Sequence, residues 1–200
     1  MIAARDGDGG VEVLVIERGP DSHFLPGYVA FPGGSTDAED ANHAERWFGD
    51  AGEAARACAV RELAEEVAFA LTADGLVPGR LADVDQAPPH AGQLTEIAHW
   101  VAPDDVPVRF DALYFAIAAP GGIDPVPDGH ETAGAWWCSP SELLEDWEAQ
   151  RRKLYWPTYF TMTRLARCGV SADVRALRID TREPDDGELE YLHRSTFFQE

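Results

Sequence analysis

Ala57 to Phe69 reads "ACAVRELAEEVAF". Six of these residues, "RELAEE" from Arg61 to Glu66, set one arginine and three glutamates among small and aliphatic neighbours. Alanine and leucine favour a helix, and Glu53 suits the positive first turn of one that starts near Gly52 and runs to about Leu71. On that helix Glu62, Glu65 and Glu66 fall within an arc of roughly 100°, because positions three and four apart share a face. Like charges at this spacing cost about 0.2–0.5 kcal/mol per pair unless a cation intervenes, and Arg61 neutralises only part of the charge. Taken alone, the hexapeptide reads as a solvated acidic face. Beside a glycine corner it reads as a carboxylate cluster suited to a hard cation and a diphosphate.

That corner lies upstream. "PDSHFLPGYVAFPGG", Pro20 to Gly34, reads as a loop, a short strand at "YVAF", and a Pro-Gly-Gly turn whose glycines permit close approaches. Before it, "MIAARDGDGGVEVLVIERG" places an apolar run on each side of a glycine- and aspartate-rich turn, the pattern of a β-hairpin. Gly10 stands where an EF-hand needs an oxygen ligand, so Asp6 and Asp8 read as turn residues. Residues 35–51 are polar and acidic apart from Trp47-Phe48, and read as an insertion with one helical turn.

Downstream, "LTEIAHWV", "RFDALYFAIAAP" and "AGAWWCS" read as strands. Ser139 followed by Pro140 opens one helix, and Pro157 opens another that Gly169 closes. "VRALRI", a turn at "REPDDGE" and "LEYLHRSTFF" form a C-terminal extension, 170–200, which either adds a hairpin to the sheet or serves a subunit contact in a homodimer. Strands, one helix, more strands, then helices indicate an α+β class: a mixed sheet with flanking helices.

The 200 residues suffice for a sizeable core in one domain. Sixteen basic against 36 acidic residues give a net charge of −20, a field that repels nucleic acid yet admits a small anion if divalent cations screen it. Cys58, Cys138 and Cys168 are scattered without CxxC spacing, which indicates reduced thiols and a cytoplasmic protein. No apolar run approaches a membrane span, and no leader pattern opens the chain.

Glu53, seven residues, and then Arg61-Glu62-Leu63-Ala64-Glu65-Glu66 resemble the nudix box, G-x5-E-x7-R-E-U-x-E-E-x-G-U with U apolar. Ala68 stands in place of the final glycine and Trp47 in place of the first. Eighteen residues separate Gly34 from Glu53 where the box has five, an insertion of thirteen. "RGPDSHFLPGYVAFPGG" and "HWVAPDDVPVRFDALYF" resemble segments of coenzyme A diphosphatases of the peroxisomal-type branch, with His23 and Ala112 as departures. The resemblance runs from about Val11 to Leu165.

It implies an α/β/α sandwich, a nudix hydrolase domain over 1–169, and a pyrophosphohydrolase acting on a nucleotide-derived small molecule. Coenzyme A or an acyl derivative is the favoured substrate. ADP-ribose, dinucleotides or a non-catalytic sensor are the alternatives. It further implies that Glu62, Glu65 and Glu66 hold Mg²⁺ or Mn²⁺ with the Gly34 carbonyl, Glu65 also serving in catalysis. Arg61 would anchor the loop through a salt bridge to Glu53. Glu131 is either an extra metal ligand or general base, or a surface carboxylate. Arg18 and Arg109 either grip substrate phosphates or form strand-edge salt bridges. Trp100, Tyr114, Phe115, Trp136 and Trp137 read chiefly as core.

Overall fold

The computed structural model describes residues 1–22, 24–101 and 110–179. In chain order the elements are β1 (Ile2–Gly7), β2 (Gly10–Arg18), β3 (Tyr28–Ala30), α1 (Ala38–Phe48), α2 (Ala54–Val67), β4 (Phe69–Thr72) and β5 (Gly75–Pro78). They continue as α3 (Leu81–Gln86), β6 (Thr95–Val101), β7 (Asp111–Ala118), β8 (Thr132–Cys138), α4 (Pro140–Glu148), β9 (Lys153–Leu154), α5 (Trp156–Leu165) and α6 (Ser171–Ala176).

The expected hairpin forms, with β1 and β2 antiparallel from Ala4↔Val13 to Gly7↔Gly10. Seven of the described strands make one mixed sheet in the order β6-β7-β1-β2-β3-β9, with β8 alongside β2. β1 runs parallel to β7 and β3 parallel to β9, while the other pairs are antiparallel. The run "VLVI" in β2 is apolar on both faces because both faces are covered. Val13 and Val15 join a core with Leu143, Trp147, Trp156, Met162 and Leu165 of α4 and α5. Leu14 and Ile16 join the opposite core with Ala44 and Trp47 of α1 and Val60, Leu63 and Val67 of α2. The result is the expected sandwich of helices on both sides of a mixed sheet. Trp100 and Phe115 are buried as core residues.

Four expectations need correction. Residues 35–51 hold three helical turns instead of one: Asp37 accepts the Glu39 and Asp40 N–H groups, Asp40 accepts the Asp37 N–H in return, and Gly49 closes α1 in the left-handed region. Helix α2 ends at Val67, four residues short of Leu71, because Ala68 turns left-handed (φ 55°, ψ 41°) and donates its N–H to the Leu63 carbonyl. The chain then folds back as the β4–β5 hairpin. Helix α5 ends at Leu165, before Gly169. The start of the C-terminal extension, Ser171–Ala176, is helical instead of extended. The remainder of the expected hairpin, 180–200, lies outside the described residues.

Candidate active site

Helix α2 is anchored by its apolar stripe, with Val60, Leu63 and Val67 fully buried against the sheet. That seating turns Glu62 and Glu66 inward and leaves Glu65 exposed. The Gly33–Gly34 corner lies directly against the two buried carboxylates. Gly33 donates its N–H to Glu66 Oε2 at 2.8 Å. A Cβ on Gly34 would stand 2.3 Å from Glu62 Oε1, so only glycine lets the carboxylate sit where it does. The Gly34 carbonyl faces α2 as well, 3.6 Å from Cys58 Sγ.

Burial pushes the Glu66 carboxyl up to about 8 against the opposing Gly33 hydrogen bond, and the neighbouring Glu62 charge pushes it further the same way. Burial raises Glu62 too, against the pull of Arg61, with the charges of Glu65 and Glu131 adding to the rise. The site therefore holds carboxylates whose charge is costly without a cation.

Arg61 supplies one positive charge. Its Nη1 donates to Glu62 Oε1 and Glu65 Oε2, both at 2.8 Å. Its Nε and Nη2 grip Asp40 Oδ1 and Oδ2 at 2.9 and 3.0 Å. Asp40 is fully buried. Burial alone would raise its pKa, but the Arg61 and Asp37 hydrogen bonds hold it below the ordinary value. The expected partner of Arg61 was Glu53; Glu53 instead pairs with Arg56, one turn along. Asp40, from the insertion, was missed by the sequence reading. Its "DAED" capping pattern was the one available signal, and it spoke for a helix start, not for Arg61.

Glu131 reaches this face through a loop tied to the end of α2. Val126 and Asp128 donate their N–H groups to the carbonyls of Val67 and Glu66, at 3.0 and 3.1 Å, which satisfies terminal helix acceptors. The Asp128 carboxylate in turn accepts the N–H groups of His130, Glu131 and Thr132. The Glu131 carbonyl accepts the Gly19 N–H at 2.7 Å. Asp128 is a second organiser that sequence reading passed over. Arg18 lies near enough for its charge to favour ionised Glu66. Its Nε and Nη2 donate to Ser22 Oγ, and Nε also to the Phe24 carbonyl, so it braces the loop after β2. Arg109 lies outside the described residues.

The oxygen donors suit Mg²⁺ or Mn²⁺, and the two buried carboxylates with raised pKa values are the kind of pair a divalent cation relieves. The glycine corner brings backbone directly against both carboxylates, Gly33 through its N–H and Gly34 through its missing side chain. The three glutamates share an arc but do not close on one point, since Arg61 stands between Glu62 and Glu65. Among the described residues no three His, Cys, Asp or Glu side chains form a ready cluster for one ion.

The NUDIX domain family matches residues 1–156. The chain belongs to that family. A solved NUDIX hydrolase from Alicyclobacillus acidocaldarius is similar over 90% of this chain and 95% of its own, at 29% identity and a TM-score of 0.77. The NUDIX domain of Shewanella oneidensis NrtR, solved with ADP ribose, shares the fold at 15% identity and a TM-score of 0.51, over 88% of this chain and 84% of its own. RenU, a Nudix hydrolase from M. smegmatis, does so at 17% identity and 0.50, over 90% and 86%. No curated protein matches in sequence. The Nudix membership supports the expected enzyme class, a pyrophosphohydrolase. No helix among the described residues is long and apolar enough to cross a membrane.

Proposed function

We propose that this Nudix protein hydrolyses a diphosphate linkage in a nucleotide-derived small molecule with Mg²⁺ or Mn²⁺, and that coenzyme A or acyl-coenzyme A is its favoured substrate. The observation that carries the reading is the seating of Glu62 and Glu66 against Gly34 and Gly33. Glu62, Glu65 and Glu66 would hold the cation together with the Gly34 carbonyl. When bound, the cation neutralises charge on the diphosphate and acidifies the attacking water.

The chain's own residues supply the rest. Glu131, on its Asp128-braced loop, or Glu65, exposed at the rim, would take the proton as water oxygen bonds to one phosphorus. The bridging P–O bond breaks and its electron pair leaves with the second phosphate. Arg18 sets a positive charge beside Glu66 on the side of the loop it braces. Arg109 remains a candidate for a second phosphate contact. The net charge of −20 disfavours nucleic acid as substrate. The intact "RELAEE" favours an enzyme over a sensor. The coenzyme A preference rests on the FPGG lead-in and the W-x-x-P and R-F-D segments.

The test is a panel of coenzyme A, ADP-ribose, dinucleotides and NADH, each with Mn²⁺, Mg²⁺ or chelator, with products resolved by mass. Coenzyme A should give adenosine 3′,5′-bisphosphate and 4′-phosphopantetheine only with metal. A preference for ADP-ribose would move the substrate, and no turnover of any compound would remove the activity.

A further inference from the structure

A guanidinium has five N–H donors in a rigid fork. Arg61 divides its carboxylate contacts between Asp40 on one side and Glu62 and Glu65 on the other, with the Ser35 carbonyl and Cys58 Sγ as weaker acceptors from Nη2 at 3.3 and 3.6 Å. Nε and Nη2 hold Asp40 side-on, while Nη1 alone reaches Glu62 and Glu65. Asp40 cannot turn away: it is fully buried, and its Oδ2 also accepts the Asp37 N–H at 2.9 Å in the capping box of α1. Helix α1 is itself pinned. Trp47, buried and stacked on His43 of the same helix, donates Nε1 to Asp85 Oδ1 of α3 at 2.8 Å. Glu53 offers Arg61 no substitute, since Arg56 holds it.

We propose that Asp40 is a positioning residue for the cation: it holds Arg61 so that Glu62 and Glu65 can be released to a divalent ion, and so couples helix α1 to that site. This rests on the reading of Glu62 and Glu65 as cation ligands. With Asp40 ionised, Arg61 keeps a two-pronged partner when the glutamates turn to the ion. With Asn in place of Asp40, the guanidinium charge is left to Glu62, Glu65 and the more distant Asp37 carboxylate, 3.9 Å from Nη2, and the ion must displace more of it from the two glutamates. Linkage makes the coupling reciprocal, so occupancy of the site tightens Arg61 on Asp40 and thereby α1 on the domain.

The probe is Mn²⁺ alone, titrated without substrate by calorimetry or by electron paramagnetic resonance. Asp40→Asn should weaken Mn²⁺ binding roughly 10–100-fold, the usual effect of losing a residue that orients ligands. At saturating Mn²⁺ its kcat should return close to wild type. Glu53→Gln should bind Mn²⁺ as wild type does. In an Arg61→Met background, Asp40→Asn should add no further loss, because Asp40 acts only through Arg61. Should Asp40→Asn not fold, hydrogen exchange on the wild type decides: Mn²⁺ should slow the amides of residues 38–48. Wild-type Mn²⁺ affinity in Asp40→Asn, an equal loss in Glu53→Gln, or unchanged exchange in α1 would each overturn the proposal. If the wild type binds no Mn²⁺, the cation reading falls and this inference with it.

Discussion

Gly33 donates its backbone N–H to Glu66 Oε2 at 2.8 Å, and this is the closest tie between the glycine corner and the catalytic helix candidate. The bond favours an ionised Glu66, yet burial outweighs it and carries the group from an ordinary 4.5 to about 8. Between those values the unfolded chain binds fewer protons than the folded one, so metal-free stability falls as pH rises through the window and levels above it. Glu66→Gln keeps an acceptor for Gly33 without the charge. In chelator its Tm should exceed wild type by at least about 2 °C at pH 8 and converge with it near pH 4.5, by thermal unfolding. A variant less stable than wild type at pH 8 would contradict this.

Gly34→Ala sets a methyl group where Glu62 Oε1 now lies. The carboxylate is the far end of a flexible side chain, so it swings and the fold survives. Mn²⁺ affinity should fall by about tenfold or more, with Tm changed by only a few degrees. Titration of the folded variant checks it, and unchanged affinity would mean that Glu62 does not act from this position.

Ala68 holds a left-handed conformation that costs an L-residue about 1–2 kcal/mol, partly offset by its lower chain entropy. Ala68→Gly should therefore stabilise by roughly 0.5–1 kcal/mol, and Ala68→Val should destabilise. Urea unfolding of both variants measures it, and a destabilised Ala68→Gly would contradict the account of how α2 ends.

Asp128→Ala removes the acceptor for three successive N–H groups around Glu131. Stability should drop by about 1–2 kcal/mol, as for a lost cap. If Glu131 is the base, kcat at saturating Mn²⁺ should fall roughly 10²-fold with Mn²⁺ affinity kept. An unchanged kcat would return Glu131 to the surface carboxylates.

The hairpin, the carboxylate arc and the box spacing were legible because they are local: alternation, helical period and a count of seven residues. The end of α2 was not, because Ala68 adopts a conformation that sequence reading assigns to glycine. The β4–β5 hairpin carries a readable signal in Asp74-Gly75, which the expectation of a helix running to Leu71 overrides. The tie between Arg61 and Asp40 joins residues 21 apart across a helix that reads as polar insertion, and no pattern in either segment announces the pairing. The same non-locality hid Asp128, whose role depends on where the carbonyls of α2 end.

The most direct measurement is Mn²⁺-dependent cleavage of coenzyme A by the wild type beside Glu65→Gln, with both products weighed. The account predicts adenosine 3′,5′-bisphosphate and 4′-phosphopantetheine in equal amounts from the wild type, none in chelator, and a rate at least about 10²-fold lower from the variant. Cleavage that persists in chelator, or a Glu65→Gln rate near that of the wild type, would contradict it.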